Sequence, residues 1–300
     1  MTDFPPLPYD DWVGTRDTIH LFTQMVGKVR MAAHPKLNHW WHVTLYPSVS
    51  GLTTGRVPHG GVGSFEIAMD FRDHRVTVTR RDGASRSFGM AGLSVAGFHD
   101  ALFGALAELG IAVDILGVPY ENKSTVPFAE DDAPRPYDRE MASRWWQAIG
   151  AVANVQERWR GGFAGKQTPV QLFWHSFDLV VTRFSGRRHQ MEGGTASDRE
   201  AYSHEVVSTG FWPGDAATPM AGFYAYAWPD PGLAGTALPE GADWVDQNGS
   251  ALAVLPYEAV RTAADPEKLL LAFMEQIYRT TGELADWPMA DLEHRFADGA

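Results

Sequence analysis

The sequence predicts an α+β fold, with antiparallel or mixed sheets covered by about four helices. Three observations carry this. Apolar residues recur at helical spacing in four separated segments. Between those segments lie short runs rich in aromatic and β-branched residues, bounded by Pro, Gly and Asp. Apolar residues make up 44% of the 300 positions, which allows a sizeable core.

The elements follow in chain order. Residues 1–16 are a Pro-rich lead-in. Ile19, Phe22, Val26 and Val29 fall on one helical face, predicting a helix over 17–31 that Pro35 stops. His39-Trp40-Trp41-His42-Val43-Thr44-Leu45-Tyr46 reads as a strand ended by Pro47. Phe65–Phe71 and Val76–Arg80 form a hairpin, and Asp82-Gly83 is a further turn. Ser94 caps a helix through Val95, Phe98, Leu102 and Leu106 that closes at Gly110. Ile111–Val118 reads as a strand, and the Pro-rich acidic stretch 119–136 as a linker. Asp138 starts a long helix to about Arg160. Val170–Phe184 is an apolar strand, followed by a polar Gly-rich loop over 188–199. Tyr202–Gly210, Phe223–Trp228 and Ala251–Leu255 are further strands. Asp265-Pro266 starts the last helix, a cap followed by Pro at the first helical position.

The chain reads as a single domain over 1–300, or as two pseudo-symmetric halves, 17–136 and 137–293. The second reading rests on an echo: Trp40-Trp41-His42 before Gly55-Arg56, and Phe173-Trp174-His175 before Gly186-Arg187.

Composition narrows the function. The net charge is −12 and only five Lys are present, which disfavours a nucleic-acid partner. Absence of Cys excludes disulfides, thiolate nucleophiles and zinc–thiolate sites. No run of about 18 apolar residues predicts a membrane span, and the N-terminus lacks a signal-peptide pattern, so a cytoplasmic location is expected. Gly165-Lys166-Gln167-Thr168 fails as a phosphate loop because Arg160 stands where the first glycine is needed. His204-Glu205 fails as a zincin motif because Ser208 replaces the second His.

Histidines supply the remaining chemistry. On an extended strand His39 and His42 point to opposite faces, which makes them a poor chelating pair. His204 lies near Tyr202 and suits general acid–base work, since imidazole titrates near neutral pH. Asp178, amid apolar neighbours, calls for a cation such as Arg183 or Arg187. His42, His175 and His204 with Glu205 or Asp178 would suit a divalent metal such as iron, manganese or zinc.

Several long strings resemble one known family. They are Met25-Val26-Gly27-Lys28, Leu37 through Tyr46, Gly51-Leu52-Thr53-Thr54, Ser176-Phe177-Asp178-Leu179, Thr182 through Arg187, Glu200 through Glu205, and Gly210-Phe211-Trp212-Pro213-Gly214. Over roughly residues 7–293 the chain resembles the uncharacterised bacterial family called domain of unknown function 5996. The resemblance implies a single-domain bacterial protein and brings no activity and no catalytic residues. The family pattern places glycine at the position of His175, which leaves His39, His42 and His204 as the shared histidines.

The expectation is a small-molecule enzyme acting on an anionic or aromatic metabolite. His42, His204 and Glu205 would be catalytic, and His39, His42 and His204 would be the ligands of any metal. Arg183 and Arg187 would anchor an anion, with Trp40, Trp41, Trp212 and Tyr224 walling the pocket. The alternative is a non-catalytic metabolite-binding protein with an aromatic-lined pocket.

Overall fold

The computed structural model describes residues 4–122, 124–247 and 249–294. Among the described residues, seven α-helices and twelve strands form two compact units. Described residues within 7–150 and 171–178 make the first, and those within 4–6, 151–170 and 179–294 make the second. The long helix Arg139–Gly161 (α3) is divided between them at residue 150.

In the first unit, α1 spans Tyr9–Ala33. It starts eight residues before the expected helix, because Asp10 and Asp11 sit favourably in the positive first turn after Pro8. Every residue from Thr18 to Arg30 is buried, so this helix is enclosed on all sides. Its polar side chains therefore bond to backbone. Gln24 exchanges two hydrogen bonds with the backbone of Tyr120, both 2.8 Å. Lys28 Nζ donates to the carbonyls of Leu116 and Val118 at 3.1 and 2.7 Å. Ile111–Val118, expected as a strand, joins no ladder; side chains of α1 take up the carbonyls that a neighbouring strand would.

The sheet of this unit is an antiparallel meander. It holds β1 (Tyr46–Pro47), β2 (Gly51–Thr53), β4 (Gly63–Asp70), β5 (Arg75–Arg80) and β6 (Ser85–Gly89) in that order, with β3 (Val57–His59) also on β4. Helix α2 (Val95–Glu108) begins at Ser94, whose side chain accepts from Gly97 N–H at 3.0 Å. Phe22 of α1 stacks on Phe98 of α2 with ring centroids 4.0 Å apart. β7 (Gln171–Phe173) completes the unit. The expected single strand Val170–Phe184 is interrupted at 174–177, where Phe177 adopts φ 62°. The two aromatic–His strings of the echo both belong to the first unit.

In the second unit, β8 (Asp178–Arg188), β9 (His204–Trp212), β10 (Gly222–Trp228), β11 (Asp243–Gln247) and β12 (Ser250–Pro256) pair antiparallel in the order β11-β12-β10-β9-β8. α4 (Ala196–Ala201) lies between β8 and β9, and α5 (Tyr257–Arg261) follows β12. Then come α6 (Pro266–Leu284) and α7 (Met289–Leu292). Asp265 caps α6 by accepting from Lys268 N–H at 3.0 Å. Side chains alternate along each strand. Val181, Val207, Phe211, Phe223, Ala225, Ala253 and Leu255 form one apolar face. Val152, Gln156, Phe273 and Met274 of the helices meet Thr209 and Phe223 on that face. The opposite face carries Phe184, His204, Ser208, Trp212, Tyr224, Tyr226 and Trp228.

Candidate functional site

The segment expected as the strand 39–46 is instead a short helical turn, Asn38–Trp40, followed by further turns. His39 and Trp40 take φ of 54° and 60°, two consecutive left-handed residues that no strand accommodates. Each costs roughly 1–3 kcal/mol, which local packing offsets. His39 lies against Trp41 with ring centroids 5.3 Å apart, and Trp40 stacks on His42 at the same separation. Lys36 Nζ sits 5.0 Å from the centre of the Trp40 ring. His42 Nδ1 accepts from Leu37 N–H at 3.3 Å. Both histidines are buried. An open groove of about 640 Å³ in this unit contains none of these residues. Its histidine, His59, has both ring nitrogens engaged: Nδ1 accepts from Gly61 N–H and Nε2 donates to the Ala112 carbonyl.

The second unit gathers a different set on the face of β8, β9 and β10 opposite the helices. Cross-strand partners define its rows. Arg188 faces His204 across the sheet. In the next row Phe184 pairs with Val206, and Val206 with Trp228. Lys166 joins the edge of that row: its carbonyl accepts from Phe184 N–H at 3.0 Å, and its ammonium lies 4.8 Å from the Phe184 ring centre. Thr182, Ser208 and Tyr226 make the third row, with the Thr182 and Ser208 hydroxyls 2.9 Å apart. The Tyr226 hydroxyl is 3.0 Å from that of Tyr202, whose ring rests 5.7 Å from Trp228. In the fourth row Tyr224 lies across Gly210. A Cβ at Gly210 would come within 2.3 Å of the Tyr224 ring, so only glycine admits this arrangement.

His204 holds a defined tautomer. The Ser203 hydroxyl donates to the Glu200 carbonyl at 2.9 Å, so its 3.1 Å contact with His204 Nδ1 is a bond donated by the ring. Nδ1 carries the proton, and Nε2 is the nitrogen with the lone pair. Burial first, then Lys166 and Arg188, holds the imidazole below the usual histidine range. Burial and Arg188 likewise lower Lys166. Two cations and a neutral imidazole, whose charged form each cation disfavours, therefore share one corner of an acidic protein.

Each residue singled out from sequence now has a place. Trp212 and Tyr224 share one sheet face with His204. Glu205, one residue on, points the other way, where its Oε2 accepts from Ser185 Oγ at 2.7 Å and Arg187 Nε at 2.8 Å. Arg187 also donates to the Ala285 carbonyl. Arg183 is buried on the helix face. Its guanidinium lies 3.6 Å from the ring centre of Trp159, 4.4 Å from Tyr278 and 4.9 Å from Phe163, and it donates to the Trp159 carbonyl. Both arginines are thus tied into structural contacts. Asp178 accepts from Ser176 Oγ at 2.5 Å. His39 and His42 belong to the first unit and His204 to the second. Among the described residues no group of three or more His, Asp or Glu side chains could hold a metal ion.

From sequence, Arg188, Tyr226 and Trp228 carry no site signal, Tyr202 stands only as the neighbour of His204, and Lys166 only in a failed phosphate-loop motif. A register shift between Phe184 and Arg188, where Gly186 takes φ 91°, brings Arg188 into the row of His204. Four residues of β8 there oppose two of β9, an even excess that keeps the alternation, so Arg188 stays on the face of Phe184 and stands beside His204 while Arg187 does not. Tyr226 and Trp228 were readable from the alternation Phe223 to Trp228, which places them with Tyr224.

No helix among the described residues is long and apolar enough to cross a membrane. No curated protein and no solved structure matches the chain. A family model does match, over residues 4–294, and by it this chain belongs to the family of unknown function DUF5996.

Proposed function

We propose that the second unit binds an anionic small molecule at the corner of Lys166, Arg188 and His204, and that the protein is an enzyme in which His204 transfers a proton. The observation that supports this reading is the defined tautomer of His204 beside two cations. Lys166 and Arg188 attract the anion, and its charge relieves their mutual repulsion. The bound anion also favours imidazolium, so Nε2 becomes a better base once the ligand is seated. Nε2 then takes a proton from a ligand O–H, and the resulting positive charge is balanced by the ligand's own anionic group. Ser203 keeps the ring oriented throughout by accepting from Nδ1–H.

The test is titration calorimetry with inorganic phosphate on the wild-type chain and on Arg188→Gln and Lys166→Met. Loss of one charge-assisted contact predicts a weakening of about tenfold or more. Arg188→Gln should be at least as thermostable as wild type without anion, because one repulsive charge has gone. Failure of the wild-type chain to bind millimolar phosphate or sulfate, or equal binding by all three proteins, would refute the proposal.

A further inference from the structure

The rows beside the cationic corner point to the ligand class. We infer that the site takes a sugar phosphate, with the phosphate at Lys166, Arg188 and His204 and the hydroxylated ring laid along Trp228, Tyr226 and Thr182. This inference rests on the anion-site reading above and extends it.

Three features of the face support a sugar. The first is span. From Phe184 on β8 to Trp228 on β10 is two strand spacings, about 10 Å, so one small phosphorylated ring reaches from the charged corner to the aromatic row. The second is the pair of half-buried rings. Tyr226 and Trp228 stand two residues apart on one strand and are held upright by Tyr202, which touches both. Such rings offer an apolar surface to the C–H face of a sugar while Tyr keeps a polar tip. The third is the hydroxyl row. Ser208 is buried and fixes the half-buried Thr182 hydroxyl by a shared hydrogen bond. Two hydroxyls sharing one bond keep one O–H and most of their lone pairs for a partner. A flat aromatic anion would use the rings and leave the hydroxyl row unread. A bare phosphate would use neither.

The experiment compares four probes by calorimetry on the full chain: inorganic phosphate, phenyl phosphate, and a panel of pentose and hexose phosphates with their unphosphorylated sugars. At least one sugar phosphate should bind about tenfold more tightly than inorganic phosphate and more tightly than phenyl phosphate, with the neutral sugars far weaker. Tyr226→Phe and Thr182→Val keep shape and remove a hydroxyl. Each should reduce the advantage of the sugar phosphate about three- to tenfold while leaving phosphate affinity unchanged. Equal affinity for phosphate and every sugar phosphate overturns the inference and leaves the anion corner standing. Tighter binding of phenyl phosphate than of any sugar phosphate also overturns it, in favour of an aromatic anion. No binding of any phosphate overturns the anion-site reading itself.

Discussion

Acid should destabilise this protein through one buried ring. His20 lies in the middle of α1 and is 3% exposed. Its Nε2 is 3.0 Å from the His175 carbonyl, which can only accept, and its Nδ1 has no hydrogen-bond partner. The ring stacks on Phe177 at 5.0 Å. Burial, and then Arg16, lowers its pKa from 6.5 to about 4, outweighing the bond to His175. A histidine depressed in the folded state gains its proton first in the unfolded chain. Stability is therefore unaffected above pH 6.5 and falls as pH drops from there toward 4. At about 1.36 kcal/mol per unit, the loss attributable to His20 is roughly 1 kcal/mol at pH 5.5 and roughly 3 kcal/mol at pH 4. His20→Gln keeps an N–H donor for the His175 carbonyl and removes the titration. Urea unfolding of both proteins at pH 7.5, 5.5 and 4 isolates the effect, because other groups titrate alike in each. The variant should gain on wild type by those amounts as pH falls. A difference that stays constant from pH 7.5 to 4 would refute the reasoning.

Two further predictions concern the second unit. Thr209 is 1% exposed, and its hydroxyl has no partner where it faces Gln156, Phe223 and Phe273. Thr209→Val should therefore be neutral or stabilising by up to about 1 kcal/mol, read as an unchanged or raised Tm by calorimetry; a clear fall in Tm would contradict this. Arg183 stacks among Trp159, Tyr278 and Phe163 with its pKa brought down to about 10 by burial. A lysine cannot reproduce the planar stack, so Arg183→Lys should cost about 2–4 kcal/mol in urea unfolding while leaving phosphate affinity at the Lys166 corner unchanged. Wild-type stability, or lost phosphate binding in a folded variant, would show that Arg183 has another role.

Local signals carried the legible part of this fold. Ser94 and Asp265-Pro266 start helices α2 and α6 where expected, because a cap depends only on its own few residues. The alternation of Phe223 through Trp228 likewise assigns the two faces of β10 without any partner. The misses depend on distant residues or on backbone geometry. Ile111–Val118 has strand composition, yet Lys28, far back in the chain, binds its carbonyls. The run 39–46 has strand composition too, and two left-handed residues override it. Arg183 could have been excluded from the site on pattern alone, since it shares its face with Leu179 and Val181, both fully buried. The face of Arg188 follows from the same alternation, two steps beyond Phe184, but its place opposite His204 does not, because that row is set by a register shift that leaves only Gly186 as a trace.

Central to the account is a neutral His204 imidazole, protonated on Nδ1, that senses an anion beside Lys166 and Arg188. Nitrogen-detected NMR of the imidazoles, with His204→Asn to assign the signal, reads tautomer and titration together. Sulfate is a suitable probe, since it does not itself titrate near neutral pH. Without sulfate the ring should be the Nδ1–H tautomer with a midpoint below 6.5, and saturating sulfate should move that midpoint upward. An Nε2–H tautomer, or a midpoint that sulfate leaves in place, would contradict the assignment of this corner as the working site.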